Sequence, residues 1–383
     1  MQDKFLRFIE ENKASVLQTL RELCAIPAPS HYEDARAEYC KRWLEAIGAT
    51  GVYIDEAKNV VFPINCENSN EIIVFAAHTD TVFPDREPLP YEEDEEYIRC
   101  PGVGDDTASV AVLLAVARYY IENKIVPKKG VLFVCNSCEE GLGNLKGTRR
   151  LFEEYANRID AFITFDGYMD VIHDECAGSH RYEVTVRTEG GHSFQKFGNE
   201  NALVELSKII TAISEIAMPN KPGTRTTHNI GTVSGGTSVN TIAQDATMLC
   251  EYRSTDWECL EYMRERFEAI FKAARSEKVT VEVTQVGDRP CSRISNEIKN
   301  AFCDRVFKLI QPLVGPSLHC KSGSTDCNIP LSLGIPALCI GVVSGGGAHT
   351  REEWVEKSSL ELGLEVGLTV ALALTNEEEY RRV

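Results

Sequence analysis

Apolar positions between residues 5 and 46 recur at helical spacing, interrupted only at Ile26-Pro27-Ala28-Pro29-Ser30, and short β-type runs follow. Three continuous apolar runs then read as strands: EIIVFAAH (71–78), GVLFVCNS (130–137) and DAFITFD (160–166). Between them, TASVAVLLAVARYYIEN (107–123) and TRRLFEEYAN (148–157) have helical periodicity. A strand that is apolar at every position has both faces covered. Alternation of such strands with helices therefore predicts an α/β domain built on a mostly parallel sheet.

After Asp166 the pattern changes. Residues 181–286 read strand (RYEVTVRT), helix (NALVELSKIITAISEI), two strands (HNIGTVSGG and DATMLCEYRS), helix (CLEYMRERFEAIFKAARS) and strand (KVTVEVTQV). This is the β-α-β-β-α-β order of a ferredoxin-like α+β unit. Turn-forming residues flank it, at Ala177-Gly178-Ser179 and Gly287-Asp288-Arg289-Pro290. The expected organisation is a discontinuous larger domain, residues 1–178 and 288–383, with a smaller domain at 179–287 inserted into it. From Ser292 the helix, loop and strand pattern resumes, through ALCIGV (337–342), to a last apolar helix near 360–374.

Composition narrows the function. With 58 acidic against 40 basic residues, the net charge of −18 would repel a phosphate backbone, so nucleic acid is excluded as a partner. No apolar run approaches the roughly 20 residues of a membrane helix. The opening segment, MQDKFLRFIEENKASVLQTL, is amphipathic and charged, with neither an apolar core nor a small-residue cleavage site, so a cytoplasmic protein is expected. In that setting the 14 cysteines read as reduced thiols, most of them small buried hydrophobes. Cys135 and Cys138 form a C-x-x-C that reads as alternating strand positions.

The chemistry gathers where apolar strands end. His78 and Asp80 lie in AAHTDT, Asp105 and Asp106 in GVGDDT, Glu139 and Glu140 in CEEG, Asp166 in FDG, and His349 follows the glycine run in SGGGAHT. In an α/β sheet the carboxyl ends of strands converge on one edge, so residues distant in sequence can meet there. Two imidazoles among several carboxylates describe a site for two divalent cations such as Zn²⁺. Each piece alone has a bland reading, as a structural histidine, a helix cap or a solvated glutamate pair. The ordered set does not.

The segments AAHTDTVFP, GVGDDTASVA, CEEGLGNLKG, FDG, GGHS and STDCNIPLSLGIPA with GGGAHTREEW resemble, in order, the co-catalytic metallopeptidases. That family includes tripeptide aminopeptidase, aminoacylase, carnosinase and bacterial glutamate carboxypeptidase. The likeness extends over nearly the whole chain. It implies that His78, Asp105 and Asp166 hold one metal and Asp105, Glu140 and His349 the other, with Asp105 bridging. It further implies that Glu139 is the general base acting on a water shared by the metals, and that Asp80 fixes the tautomer of His78. Adjacent side chains should diverge, leaving only one of Glu139 and Glu140 free to ligate. A cis peptide between Asp105 and Asp106 is also implied.

In the inserted domain, which the resemblance makes a lid and dimerisation module, His192 matches a residue that reaches the reacting carbonyl, often from the partner subunit. Asn240 and Arg253 match substrate-contacting positions, and Arg253 is suited to clamp a carboxylate. The implied activity is that of a metal-dependent exopeptidase. Asp at position 166 leans toward the aminopeptidase and dipeptidase members, and so toward release of N-terminal residues from di- or tripeptides. An N-acyl-amino-acid deacylase or carboxypeptidase on the same dinuclear site is the alternative. Two divalent ions per subunit are expected, with Zn²⁺, Co²⁺ and Mn²⁺ all suited to the ligands, and a homodimer formed through the inserted domain.

Overall fold

The computed structural model describes residues 2–376. The described residues divide into two compact units, 2–176 with 294–376, and Ala177–Arg293. The first is built on an eight-stranded sheet, in spatial order Tyr53–Ile54, Val60–Ile64, Gly130–Asn136, Ile72–His78, Ile159–Phe165, Ala337–Ile340, Val171–Cys176 and His319–Gly323. The four strands from Gly130–Asn136 to Ala337–Ile340 are mutually parallel. Antiparallel pairs occur only toward the edges.

The continuous apolar runs are explained by two cores, one on each face of this sheet. Ile73, Phe75 and Ala77 pack into one core while Ile72, Val74 and Ala76 pack into the other, and the neighbouring strand divides its residues in the same way. Helices Ala108–Glu122 and Ser359–Thr375 cover the first face. On the second lie Lys146–Tyr155 and the short Asn328–Ser332.

Two strands escaped the sequence reading. Val171–Cys176 and His319–Gly323 form a parallel pair at the sheet edge. Their polar composition and the exposure of His319–Gly323 give no alternation to detect. A second small sheet joins Glu92–Glu93, Tyr97–Arg99, Gly345–Gly346 and Trp354–Glu356, and so brings the loop that carries His349 beside the turn that carries Asp105.

The second unit is an antiparallel four-stranded sheet in spatial order Thr226–Gly235, Asp245–Ser254, Gly178–Arg187 and Thr280–Arg289. In chain order this is second, third, first, fourth. Tyr182, Val184 and Val186 alternate inward with Met248, Cys250 and Tyr252, and meet Leu206, Ile209, Met263 and Phe267 from helices Ala202–Ser214 and Trp257–Ala273. Asn201 and Asp256 cap those helices by accepting the amides of Leu203 and Cys259. The unit begins at Ala177 and ends at Arg293, where the sequence pattern suggested 179 and 287, because its first strand in the chain starts at Gly178 and its last runs through to Arg289. Among the described residues no helix is long and apolar enough to cross a membrane.

Candidate metal centre

His78 closes the strand Ile72–His78, Asp166 follows Ile159–Phe165, and Glu139 and Glu140 lie just past Gly130–Asn136. The parallel register thus delivers them to one sheet edge. Asp105 reaches the same edge from the turn that precedes Ala108–Glu122. Its carboxylate stands between two imidazoles: Oδ1 is 3.0 Å from His78 Nε2, and Oδ2 is 3.1 Å from His349 Nε2. His349 Nε2 is also 3.1 Å from Glu140 Oε1. Two overlapping donor groups result, His78–Asp105–Asp166 and Asp105–Glu140–His349, and within each the donor atoms lie within 4.8 Å of one another. The Asp105–Asp106 peptide is cis.

Glu139 and Glu140 do not diverge as adjacent side chains would in a strand. Both carry a donor atom within 4.8 Å of one another and of His78. The strand has already ended at Asn136, and Cys138 takes a left-handed conformation, φ 56°. Asp80 then holds both glutamates by the backbone. Its Oδ1 accepts the Glu139 amide at 2.9 Å, and its Oδ2 accepts the Glu140 amide at 3.0 Å and the Ser30 hydroxyl at 2.6 Å. Cys138 is therefore not an alternating strand position. It sits buried beyond the strand end, with its Sγ 3.1 Å from Glu33 Oε1. His78 Nδ1 donates to the backbone carbonyl of Asp80 at 3.0 Å, with the Asp80 carboxylate at 3.4 Å. A carbonyl only accepts, so Nδ1 carries a proton, and the other ring nitrogen, Nε2, is the one turned to Asp105.

Several supporting groups had no sequence signal of their own. Glu353, fully buried, accepts the amides of Gly102, Gly104 and Asp105 at 2.6, 2.9 and 2.8 Å and so shapes the turn that presents Asp105. Arg36 donates to the carbonyls of Ile26 and Thr79 and to the Thr107 hydroxyl, tying the chain near His78 to the start of Ala108–Glu122. Asp326 accepts from Asn136 at 2.6 Å and from Thr148, while the Thr325 hydroxyl accepts the amide of Cys327 just before the short helix.

The electrostatics are those of an acid cluster in want of positive charge. Burial, together with the carboxylates of Asp105 and Glu139, pushes Glu140 up to about 7 against the opposing pull of His349. Burial and then Asp105 raise Asp166 well above the usual carboxylate range. Burial would also raise Asp105, but its contacts with His349 and His78 outweigh it and hold the group low. The same contacts from Asp105 and Glu140 push His349 up to about 11. Carboxylates this closely packed resist ionisation unless a cation compensates them. Imidazole nitrogen and carboxylate oxygen are the donors that Zn²⁺, Co²⁺ or Mn²⁺ accept, so the residues present fit divalent metal ions.

The remaining expected residues lie in the second unit. His192 is exposed, on a two-residue strand paired with Thr241–Ile242. Asn240 adjoins it, its carbonyl accepting the Ser193 amide at 3.0 Å. Arg253 does not present a free fork: its Nε and Nη2 donate to the two carboxylate oxygens of Glu251 at 2.7 and 3.0 Å. Residues two apart on a strand share a face, a spacing the sequence already displayed.

Imidazoles and carboxylates gathered at the carboxyl ends of parallel strands define a candidate metallohydrolase centre. Residues 74–373 match the model of peptidase family M20/M25/M40, and the chain belongs to that family. Succinyl-diaminopimelate desuccinylase of Corynebacterium glutamicum is 23% identical over 339 residues, covering 87% of this chain and 89% of that protein. Among solved structures, a tripeptidase from Staphylococcus aureus superposes with a TM-score of 0.73 at 24% identity, covering 94% of this chain and 97% of its own. The aminopeptidase PepT from Bacillus cereus does so at 0.71 and 21%, covering 94% and 98%.

Proposed function

We propose that this chain is a metal-dependent exopeptidase of the peptidase T type, an aminopeptidase that releases N-terminal residues from di- and tripeptides in the cytoplasm. The observation that carries the reading is the Asp105 carboxylate, set with one oxygen toward His78 and the other toward His349, with Glu139 close by. We assign His78, Asp105 and Asp166 to one cation and Asp105, Glu140 and His349 to the other. When bound, two such cations polarise the scissile carbonyl and lower the pKa of a shared water toward about 7.

Glu139 is the general base in this mechanism. It takes the proton of the attacking water and returns it to the leaving nitrogen. Its backbone is held by Asp80, so the carboxylate has a fixed origin from which to reach the water. His192 donates to the oxyanion that develops on the carbonyl, from the partner subunit of a homodimer formed through the second unit, which also acts as a lid. Asn240 assists in holding the substrate. Arg253 remains with Glu251 when the substrate brings a free α-ammonium to the site.

An N-acyl-amino-acid deacylase is the second reading, favoured by the desuccinylase relative that matches 87% of this chain. It requires an α-carboxylate clamp, and Arg253 would then have to exchange Glu251 for substrate. The test is release of amine from free-amino tripeptides, dipeptides and N-acyl amino acids by protein loaded in turn with Zn²⁺, Co²⁺ and Mn²⁺, beside Glu139→Ala. Cleavage of free-amino peptides, abolished in a variant that still binds metal, is the expected result. Turnover confined to the N-acyl compounds would replace the aminopeptidase reading, and near-normal turnover by Glu139→Ala would remove its assigned base. A monomer by light scattering would remove the cross-subunit role of His192.

A further inference from the structure

Away from the strand ends that carry the candidate centre, three side chains on three elements of the first unit converge at the lateral edge of the sheet. Cys303 lies on helix Asn296–Val314, Cys320 on the edge strand His319–Gly323, and Asp174 on its neighbour Val171–Cys176. A sulfur or carboxylate oxygen from each lies within 4.8 Å of the others. Cys303 is buried, whereas Cys320 is exposed, so the cluster is open to solvent on one side.

We propose that Cys303, Cys320 and Asp174 form a separate site for a thiophilic divalent cation, Zn²⁺ before others, with water completing the coordination. The two sulfurs are 3.5 Å apart. That is far beyond a disulfide bond of about 2.05 Å. It is close to the separation of about 3.8 Å between two sulfurs on a tetrahedral zinc, given Zn–S bonds of about 2.3 Å.

The backbone supports the arrangement. His173 pairs with Lys321 and Glu175 with Ser322, so Asp174 is the extra residue of a β-bulge. Bulges re-aim a side chain that a regular register would place elsewhere.

The surrounding charge favours a cation over free thiolates. Burial raises the Cys303 thiol, and Cys320, Asp174 and Asp304 raise it further. Burial, Asp174 and Asp304 likewise raise Cys320, while Cys303 and Lys299 oppose them. Thiols held protonated are slow nucleophiles and slow to oxidise. A dication reverses the balance: two thiols release their protons to solvent, two sulfur–metal bonds form, and the Asp174 carboxylate supplies the third. Bound there, the ion would pin the edge strand to the helix. The chain leaving that strand runs within a few residues to Asp326, which holds Asn136 and Thr148.

The test uses the full chain, saturated with Zn²⁺ under reducing conditions, desalted, and assayed for metal content as wild type, Cys320→Ser and Cys303→Ser. Each variant should hold one zinc fewer per chain than wild type, whatever number the candidate catalytic centre retains. Cobalt-loaded wild type should show a thiolate-to-cobalt charge-transfer band that both variants lack. The proposed catalytic donors are nitrogen and oxygen and cannot give that band, so failure here is separable from failure of the functional reading. Manganese, poorly matched to thiolate, should bind equally to all three proteins. Should Cys303→Ser fail to fold, exposed Cys320→Ser and Asp174→Asn carry the comparison. Equal zinc content without a band overturns the site. So does a Cys303–Cys320 disulfide that, once reduced, takes up no additional zinc, since the pair would then be redox-active.

Discussion

Asp80 is the group whose replacement most directly tests how the centre is assembled. Its two carboxylate oxygens accept the amides of Glu139 and Glu140 at 2.9 and 3.0 Å, and one of them also accepts the Ser30 hydroxyl at 2.6 Å. Asp80→Asn keeps the shape but exchanges one acceptor for an NH₂ group. With the new carbonyl toward Glu139, the NH₂ meets the Glu140 amide; turned over, it meets that of Glu139. In either orientation one buried amide loses its acceptor, at about 1–3 kcal/mol, and the surviving bond loses its charge assistance, at about 1 kcal/mol. The expected loss of stability is therefore about 2–4 kcal/mol. Ser30→Ala removes one hydroxyl from the same carboxylate and should cost about 1 kcal/mol. Because both glutamates face His78, release of either amide should also cost about 10–100-fold in metal affinity or turnover. Urea unfolding at neutral pH, metal titration and kcat would be measured for the three proteins. An Asp80→Asn protein within about 0.5 kcal/mol of wild type, with unchanged metal affinity, would refute the assigned grip on Glu139 and Glu140.

Two further outcomes follow from other parts of the first unit. Glu93 receives Arg21 at 2.6 Å and Lys357 at 2.6 Å, and Arg21 chiefly holds its carboxyl far below the ordinary value of 4.5. A depressed folded-state pKa gives stability that is present above the unfolded value and lost as pH falls toward the folded one. With both partners partly solvated, wild type should lose about 1 kcal/mol more than Glu93→Gln between pH 7 and pH 3, and parallel pH dependences in urea midpoints would contradict this. Gly363 lets the last helix approach the backbone after Ala337–Ile340, since a Cβ there would stand 1.8 Å from the Val342 carbonyl oxygen. Gly363→Ala should therefore destabilise by about 3 kcal/mol, read as a lowered thermal midpoint, and an unchanged midpoint would show that the helix can shift freely.

The donors were legible and their supports were not, for one physical reason. His78 stands directly after a run apolar at every position and Asp166 after one interrupted only by Thr164 since Ala161, and a charged or imidazole side chain ending such a run lies at the sheet edge. Glu353, Glu33, Arg36 and Asp326 have no comparable local context, and a charged residue read alone is most economically placed in solvent. Each is buried because of a partner far along the chain: Glu353 meets the Asp105 amide across 248 residues, and Asp326 meets Asn136 across 190. The need for such partners was visible even though their identity was not. A turn such as Gly102-Val103-Gly104-Asp105, beside a largely buried helix, presents backbone amides that require an acceptor. Sequence states that demand locally; only the small sheet joining Tyr97–Arg99 to Trp354–Glu356 determines that Glu353 meets it. The left-handed Cys138 is the converse case. Nothing in CEEG marks a positive φ, yet that conformation, with Asp80, turns two adjacent glutamates toward one imidazole. The inner ring of the centre is thus written in residue type and position along strands, whereas its geometry is set by buried acceptors that only long-range pairing can bring into place.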